Sequence, residues 1–365
     1  MLAGPCGAGS SVIAEGLRGK RLMVFDGISG VPLAKELHAA LRAEGVDAVY
    51  IDGQQLRRKP LYDVRSKLSK TLDKLRDTDG FYHLPKVSDR AFATQLEETC
   101  PHVLLIVGFL YRFVSPSLVA QLKREKGFSL ILYDTDSCNL YSRRREFIFF
   151  LEKELPIYDR ILSFSRVTTD LFCKVRGLYA EYFPFGAQPI SGAPDVNQKI
   201  DVLFVGSADL RRILLLEKIR DRVTIYGSRW ERHRRLMSAQ LKTRVVSRPV
   251  WGEELHALLH ASKIILNITR SDFFGAETGI NLRIFEALAA GCFLLTDDCD
   301  ELRELFRPGE ELEIYRSSAE LAEKVSYYLR HDGQRRAIAA RGHERFLRDF
   351  TWQARVRDFL GRSWA

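Results

Sequence analysis

Short apolar segments alternate with segments of helical spacing along most of this chain, and that alternation restricts the fold more than any other feature. In the first half the predicted strands are 21–27, 46–53, 102–109, 128–134 and 159–165, and the predicted helices are 31–45, 60–77, 89–99, 116–126 and 167–177. Strands that are apolar on both faces are typical of a parallel sheet covered by helices on both sides. The first half therefore predicts a doubly wound α/β domain.

The second half repeats this pattern without repeating the sequence. Its predicted strands are 199–207, 222–227, 243–250, 264–269 and 292–298, and its predicted helices are 209–220, 253–263, 282–291, 317–331, 333–348 and 352–363. The stretch 182–199 between the halves contains three Pro and two Gly and reads as a linker. We therefore expect two tandem Rossmann-like domains facing a cleft, with a flexible leader at 1–19, an N-terminal domain at 20–185, a linker at 186–198 and a C-terminal domain at 199–350.

The composition excludes several other classes of protein. Hydrophobic residues make up 46% of the 365 residues and charged residues 28%, which excludes global disorder and permits a sizeable core in each half. No stretch approaches 18 consecutive apolar residues, and the N-terminus lacks the pattern of a secretory signal. The six cysteines are scattered and never form C-x-x-C, which argues against zinc and against a disulfide framework. That usage indicates a reducing, cytoplasmic location.

The positive charge of the chain is concentrated in one segment. The formal net charge is +9, and residues 201–250 alone hold 12 Lys and Arg against 5 Asp and Glu. A local excess of this kind predicts an anionic ligand at one site, rather than a surface coated for nucleic acid. A solvated, Arg-rich helix surface explains the same charge run equally well.

The segment 271–298 contains the strongest candidate for ligand chemistry. Glu286 falls in the first turns of a predicted helix that follows a Gly-containing loop. A helix N-terminus offers unpaired N–H groups that suit phosphate, and a nearby carboxylate can accept both hydroxyls of a ribose. The alternative is that Glu286 helps cap its helix and Arg283 is a surface cation. The position favours the ligand interpretation.

The sequence NLRIFEALAAGCFLLTD (281–297) resembles the donor-binding signature of GT-B glycosyltransferases, and is most similar to the branch named after spore maturation protein B. DVLFVGS (201–207), IYG (225–227) and LHASKIILNITR (259–270) precede it in the order that this branch shows. The resemblance is good over about 200–350 and weaker over 20–185, where YDTD (133–136) contributes. It implies that the second domain holds a nucleoside-diphosphate sugar and the first holds the acceptor.

The resemblance also implies roles for individual residues. Glu286 would contact the donor ribose, Gly206 with Ser207 would approach the diphosphate, and Val250 with Trp251 would lie along the base. The remaining donor-side candidates line the neighbouring turns: Gly227, Arg270, Asn281 and Arg283. A related family carries a second Glu eight residues before the first, where this chain has Thr278, with Glu277 one position away. The sugar and the stereochemistry of transfer are therefore left open.

The end of the chain carries an expectation from the same resemblance. Residues 351–365 are predicted to form a helix that crosses back to the first domain. The apolar spacing of Trp352, Val356, Phe359 and Leu360 supports a buried helix there.

Two arginines are the predicted catalytic cations. Arg211 and Arg212 follow Gly206 at the start of a helix, where positive groups could stabilise the departing diphosphate. Replacing both with Ala is expected to lower turnover more than donor binding. The alternative is a solvated helix face. No acidic metal-binding cluster accompanies the donor signature, so we expect no cofactor and no metal requirement.

The first domain offers candidates on the acceptor side. Gly27 and Gly30 join a strand to a helix, where glycine permits either a close ligand or a tight turn. Asp134 and Asp136 end another strand, and either could act as a base toward an acceptor hydroxyl. Capping and loop hydrogen bonding are the structural alternative for these carboxylates.

Three functions are consistent with the sequence. The leading one is transfer of a sugar from a nucleoside diphosphate to a hydroxyl of a glycan, lipid or small molecule. A UDP-sugar epimerase has a similar two-domain architecture but requires acid–base residues from both domains. A non-enzymatic module could use residues 201–250 to bind nucleic acid or an anionic membrane. No nucleic-acid recognition motif is present, so we expect no nucleic acid partner, whereas peripheral contact with a membrane is a further partner to consider.

Overall fold

The computed structural model describes Leu17, residues 19–28, 30–76, Phe81 and residues 83–362. Most of the predicted leader lies outside the described residues. The chain divides into two compact units. The first extends to Pro184 and includes the residues from Val356 onward, and the second is Phe185–Arg355.

The first unit is built on a six-stranded parallel sheet with the order β2-β1-β3-β4-β5-β6. Its strands are β1 (Arg21–Gly27), β2 (Asp47–Asp52), β3 (Val103–Gly108), β4 (Ser129–Asp134), β5 (Arg160–Ser163) and β6 (Ala180–Tyr182). Its helices are α1 (Leu33–Ala43), α2 (Tyr62–Arg76), α3 (Asp89–Thr99), α4 (Pro116–Lys126), α5 (Arg144–Phe149) and α6 (Arg166–Asp170). Every residue of β3 is buried, because the central strands are covered on both faces.

The second unit contains another six-stranded parallel sheet, with the order β12-β11-β10-β7-β8-β9. Its strands are β7 (Ile200–Val205), β8 (Val223–Tyr226), β9 (Val245–Val246), β10 (Ser262–Asn267), β11 (Leu294–Asp297) and β12 (Glu313–Tyr315). The helices that follow are α7 (Leu210–Leu216), α8 (Ala239–Lys242), α9 (Gly252–His260), α10 (Ser271–Gly275), α11 (Leu282–Ala289), α12 (Asp300–Leu305), α13 (Ser318–Arg330), α14 (Asp332–Asp349) and α15 (Trp352–Gly361). No helix of the described part of the chain is both long and apolar enough to cross a bilayer.

The predicted fold class, two Rossmann-like α/β domains in tandem, is confirmed by these sheets. If β7 to β12 are renumbered 1 to 6 and the second sheet is read from β9 to β12, its order is 3-2-1-4-5-6, which is the order of nucleotide-binding domains. The direction of winding reverses between β7 and β10, which are neighbours in the sheet. Ligands of such sheets bind beyond the carboxyl ends of the two strands at the reversal. This topology directs attention to the residues that follow β7 and β10.

Several short elements differ from the sequence-based expectation. The strand predicted over 243–250 is limited to Val245–Val246, and β6, β12, α5, α10 and α12 lie in segments for which no element is predicted. Strands β6 and β12 have three residues each, too few to show a period. They are strands because each pairs with a longer neighbour, β5 or β11.

The last helix, α15, is divided between the two units. Trp352 at its start is fully buried, and a Cβ on Gly186 would lie 2.9 Å from its ring. Further along, Phe359 packs on Phe183 with ring centroids 6.2 Å apart, and Arg362 forms a 2.9 Å ion pair with Glu181. The second half of α15 therefore has contacts within the first unit.

A buried carboxylate organises the loop that follows β3. Glu154 is fully buried and accepts hydrogen bonds from the backbone N–H of Leu110 at 3.0 Å, from the N–H of Tyr111 at 2.7 Å and from the Tyr158 hydroxyl at 3.0 Å. Burial raises the pKa of Glu154 to about 7, although the three donors oppose that shift. The loop is thus fixed by a group that changes charge near neutral pH.

We expect this carboxyl group to make the stability of the first unit depend on pH. A raised pKa means that the folded state binds the proton more tightly than the unfolded state, so the contribution is complete below about pH 4.5 and is lost as the pH rises toward 7. The free energy of unfolding should fall by roughly 1–3 kcal/mol over that interval. Thermal unfolding of the wild type and of Glu154→Gln between pH 4.5 and 8 measures this. Parallel pH profiles would contradict the assignment.

Candidate functional site

Two tight glycine turns form the floor of the site at the carboxyl ends of β7 and β8. A Cβ on Gly227, whose φ is +151°, would lie 1.9 Å from the carbonyl oxygen of Gly206. That same carbonyl accepts a 2.9 Å hydrogen bond from the indole N–H of the buried Trp230. Backbone packing against Gly206 therefore requires glycine at 227, whereas a Cβ on Gly206 would lie 2.9 Å from the side-chain ring of Phe204.

Arg211 lies at the start of α7 and is held by protein groups on the neighbouring strands. Its guanidinium donates to both oxygens of Asp297, at 2.5 and 3.1 Å, and to the carbonyl of Thr269 at 2.9 Å. The ring of Phe274 covers it at 3.7 Å from the centroid. Asp297 is 3% exposed and also accepts the backbone N–H of Thr269 at 2.5 Å. Arg211 and Asp297 together tie the end of β11 to the end of β10.

Arg212 has similar partners and is 8% exposed. It donates to the carbonyl of Ile268 through two nitrogens, at 2.7 and 2.9 Å, and to the carbonyl of Ser207 at 2.8 Å. Burial lowers the pKa of Arg212 to about 10, and the nearby Arg270 cation contributes to the shift. Because Arg212 donates to residues that follow both β7 and β10, it holds the ends of these two neighbouring strands together.

Ser207 and Arg270 are brought together from opposite sides of that reversal. Ser207 follows β7, Arg270 follows β10, and a guanidinium nitrogen of Arg270 donates to the Ser207 hydroxyl at 3.2 Å. Arg270 adds a third guanidinium to those of Arg211 and Arg212. With Asp297 beside Arg211 and Asp209 beside Arg212, the three arginines leave one formal positive charge where the topology predicts a bound ligand.

The helix α11 begins beside this group and carries the remaining predicted donor residues. Asn281 caps the helix by accepting the N–H of Arg283 at 3.1 Å, and its side-chain amide donates to Asn267 at 3.1 Å. Arg283 and Glu286 form a 2.6 Å ion pair one turn apart, and their side chains are only 12% and 15% exposed. The carboxylate is thus positioned by a cation on the same helix face.

The loop before α11 separates the two residues that the sequence leaves as alternatives. Thr278 is 1% exposed, and its hydroxyl donates to Glu301 at 3.1 Å. Glu277 is exposed, with a left-handed φ of +57°. The inward position eight residues before Glu286 is therefore occupied by a hydroxyl, and the carboxylate of Glu277 lies on the outer side of the loop.

Val250 and Trp251, the residues predicted to lie along the base, precede α9. Val250 is buried, whereas Trp251 is 44% exposed at the N-cap position of the helix. An exposed indole next to a buried aliphatic residue offers a surface for a planar ring.

In the first unit, the predicted acceptor-side residues follow β1 and β4. A Cβ on Gly27 would lie 2.7 Å from the carbonyl oxygen of Phe109, so backbone packing requires this glycine. Gly30 has a φ of +81° with open space around it, which favours glycine in its turn.

The two aspartates after β4 have different environments. Asp134 is 1% exposed and accepts hydrogen bonds from Ser137 N–H at 2.9 Å, Ser137 hydroxyl at 2.6 Å and Ser163 hydroxyl at 3.0 Å. Burial raises the pKa of Asp134. Asp136 is partly exposed and accepts the side-chain amide of Asn139. Asp136 is therefore the more accessible carboxylate of the pair.

Two site residues, Asp297 and Asp209, are absent from the sequence-based candidates. Asp209 caps α7 by accepting the N–H of Arg212 at 2.8 Å. Asp297 lies near the end of the strand predicted at 292–298, and a carboxylate at the end of a buried strand is the sequence feature that would have identified it as a candidate. Among the described residues no group of three or more His, Cys, Asp or Glu side chains could hold a metal ion.

Comparisons with known proteins agree with this architecture. Residues 211–361 match the family model described as "Glycosyl transferase-like". Sucrose-phosphate synthase from Thermosynechococcus elongatus superposes with a TM-score of 0.64 at 13% identity, covering 93% of this chain and 97% of that one. The chain has the fold of GT-B glycosyltransferases. No curated protein sequence matches it.

Other structures with the GT-B fold are similar to the same extent. Anabaena Alr3699/HepE in complex with UDP-glucose gives a TM-score of 0.61 at 12% identity, covering 93% of this chain and 99% of that one. A glycosyltransferase from Rickettsia africae gives 0.60 at 11% identity, covering 94% and 97%. At these identities the structural likeness concerns the fold, and the family-model match covers the second unit from Arg211 onward together with the whole of the last helix.

Proposed function

We propose that this chain transfers a sugar from a nucleoside-diphosphate sugar to an acceptor hydroxyl on a glycan, a lipid or a small molecule. The observation that carries the proposal is the cluster at the winding reversal of the second sheet, where Ser207 and Arg270 meet beside α11. The family-model match over 211–361 and the UDP-glucose bound to a protein of the same fold support a nucleotide-sugar donor.

The donor would be held by groups with distinct roles. The Arg270 guanidinium and the Ser207 hydroxyl suit the diphosphate, since a cation and a hydroxyl can both donate to its oxygens. Glu286 suits the ribose hydroxyls, because a carboxylate accepts from both. Arg211 and Arg212 would act as positioning residues, holding Thr269, Ile268 and Ser207 in place through the contacts described above.

The reaction breaks the bond between the sugar and the diphosphate, and negative charge develops on the leaving group. Cations that are already oriented toward this charge lower the barrier without having to reorganise. Asp136 is our candidate for removing the acceptor proton. We propose that a metal is not required, and retention of activity in EDTA tests this. From the segment 281–297 we also infer kinship with the spore maturation protein B branch.

Replacing Glu286 with Ala is expected to weaken binding of nucleoside diphosphates by about 1–3 kcal/mol, the range for losing charge-assisted hydrogen bonds. Isothermal titration with UDP, GDP and ADP measures the change and also identifies the preferred base. Glu323→Ala, at an exposed position of α13 in the same unit, is the matched control and should bind like wild type. Unchanged affinity in a folded Glu286→Ala protein would remove the assignment.

A further inference from the structure

Helix α2 of the first unit exposes an apolar row that no other part of the described chain covers. Leu61, Val64 and Leu68 are 75%, 56% and 60% exposed. Val64 and Leu68 are four residues apart and share one face of α2, and Leu61 directly precedes the helix. No strand or helix of the described residues packs extensively against α2. As far as the described residues are concerned, the row is therefore open to a partner.

Exposed cations surround this row. Arg57 and Arg58 precede the helix, Arg65 and Lys67 lie within it, and all four side chains are exposed. Asp63 is the exposed acidic residue in the same stretch. We define Arg57, Arg58, Leu61, Val64, Arg65, Lys67 and Leu68 as the α2 surface. It combines an apolar row with a positive border, which is the composition of an interfacial amphipathic helix.

The backbone leading into α2 is fixed. The carbonyl of Arg57 accepts the N–H of Ser88 at 2.9 Å, and the N–H of Lys59 donates to the carbonyl of Lys86 at 2.9 Å. Lys59 also pairs with Asp89 at 2.9 Å. The cations before the helix are therefore held next to its first turn.

Leu61 has an unusual backbone conformation for a residue of its size. Its φ is +52°, a region that bulky residues rarely occupy and that costs on the order of 1–3 kcal/mol. A leucine that is 75% exposed recovers little of that cost by burial in the described protein. Contact with an apolar partner would bury the Leu61 side chain, which the described protein leaves exposed.

We propose that the α2 surface binds the surface of an anionic lipid bilayer. The aliphatic row would enter the boundary between headgroups and acyl chains, while Arg57, Arg58, Arg65 and Lys67 would contact anionic headgroups. Charge argues against a second copy of this chain, because two positive borders would repel. Single-stranded nucleic acid is favoured by exposed aromatic side chains, and the α2 surface has aliphatic ones instead. The proposal is independent of the donor site.

Flotation with vesicles tests the proposal. The full chain should bind vesicles of phosphatidylglycerol and phosphatidylcholine in equal parts, and should bind pure phosphatidylcholine vesicles much more weakly. Arg65→Gln with Lys67→Gln should lower binding to the anionic vesicles on the order of 20- to 30-fold, since each cation near the surface contributes roughly fivefold. Val64→Gln with Leu68→Gln should lower it by at least about tenfold.

Matched variants distinguish binding through the α2 surface from nonspecific adsorption to vesicles. Val196→Gln with Leu214→Gln changes two other exposed apolar side chains, 82% and 59% exposed in the second unit, and should bind like wild type. Leu61→Gly should also weaken vesicle binding, while its melting temperature stays near that of wild type because glycine tolerates the positive φ.

Three results would overturn the proposal. Equal binding by wild type and by Val64→Gln with Leu68→Gln would show that the row does not enter the bilayer. A change from dimer to monomer in that variant, measured by light scattering, would assign the surface to a second copy. Stronger, row-dependent binding to single-stranded RNA than to the anionic vesicles would assign it to nucleic acid.

Discussion

Replacing Arg211 with Ala is expected to destabilise the second unit by about 3 kcal/mol, because the change leaves a carboxylate that is 3% exposed without its cation. Asp297 would keep the N–H of Thr269 as a donor but would lose both guanidinium contacts. Loss of one partner of a buried pair is costly even where the intact pair contributes little. Urea denaturation monitored by tryptophan fluorescence measures the change.

A double-mutant cycle separates this effect from the loss of packing on Phe274. In the Asp297→Asn background the buried negative charge is already absent, so Arg211→Ala should cost at least about 1 kcal/mol less than in the wild type. Arg222→Ala, at an exposed position whose ion pairs are with Asp221 and Asp201, is the matched control and should change stability by less than about 1 kcal/mol. Additive effects of Arg211→Ala and Asp297→Asn would contradict the proposed pairing.

The fold was largely accessible from the sequence because its signals are local. The apolar run RLMVFDG predicts β1, Pro116 and Gly127 enclose α4, and Gly291 follows the end of α11. Glycine is favoured directly after a helix because it readily adopts a positive φ, as Gly127 does. This preference belongs to the glycine itself and does not depend on distant contacts. The order of the strands is not local, and only the structure locates the winding reversal between β7 and β10.

The charge excess in 201–250 shows where sequence reasoning stops. Arg212 is buried, while Arg211 pairs with Asp297 and Arg248 pairs with Glu254, two carboxylates that lie outside the segment. Asp297 lies 86 residues from Arg211, so no local window of sequence indicates that this cation is compensated. The formal charge of the segment therefore overstates what it presents to an anionic ligand.

The same limit applies to the predicted catalytic arginines. The sequence places Arg211 and Arg212 after a glycine turn at the start of a helix, and the structure has them there. Their side chains, however, contact the ends of strands β10 and β11, which are separated from them by 56 to 86 residues. Arg270 is among the predicted donor-side residues, but it follows a different strand, and its proximity to Ser207 depends on the strand order.

Turnover is consequently expected to depend most on Arg270. If its guanidinium stabilises the leaving diphosphate, Arg270→Ala should lower kcat by about 10²–10³, the range for losing one preorganised donor, with a smaller change in the KM for the donor. Release of nucleoside diphosphate from the preferred donor, with and without acceptor, measures this.

Arg270→Lys keeps the positive charge but lacks the planar guanidinium with its parallel N–H donors, so its kcat should be intermediate. Arg232→Ala, an exposed cation in the same unit, is the matched control and should turn over like wild type. A purely structural role would lower the melting temperature of Arg270→Ala without a selective loss of kcat. Unchanged turnover at saturating donor in a stable Arg270→Ala protein would reject Arg270 and leave Arg283, next to Glu286 on α11, as the cation to test.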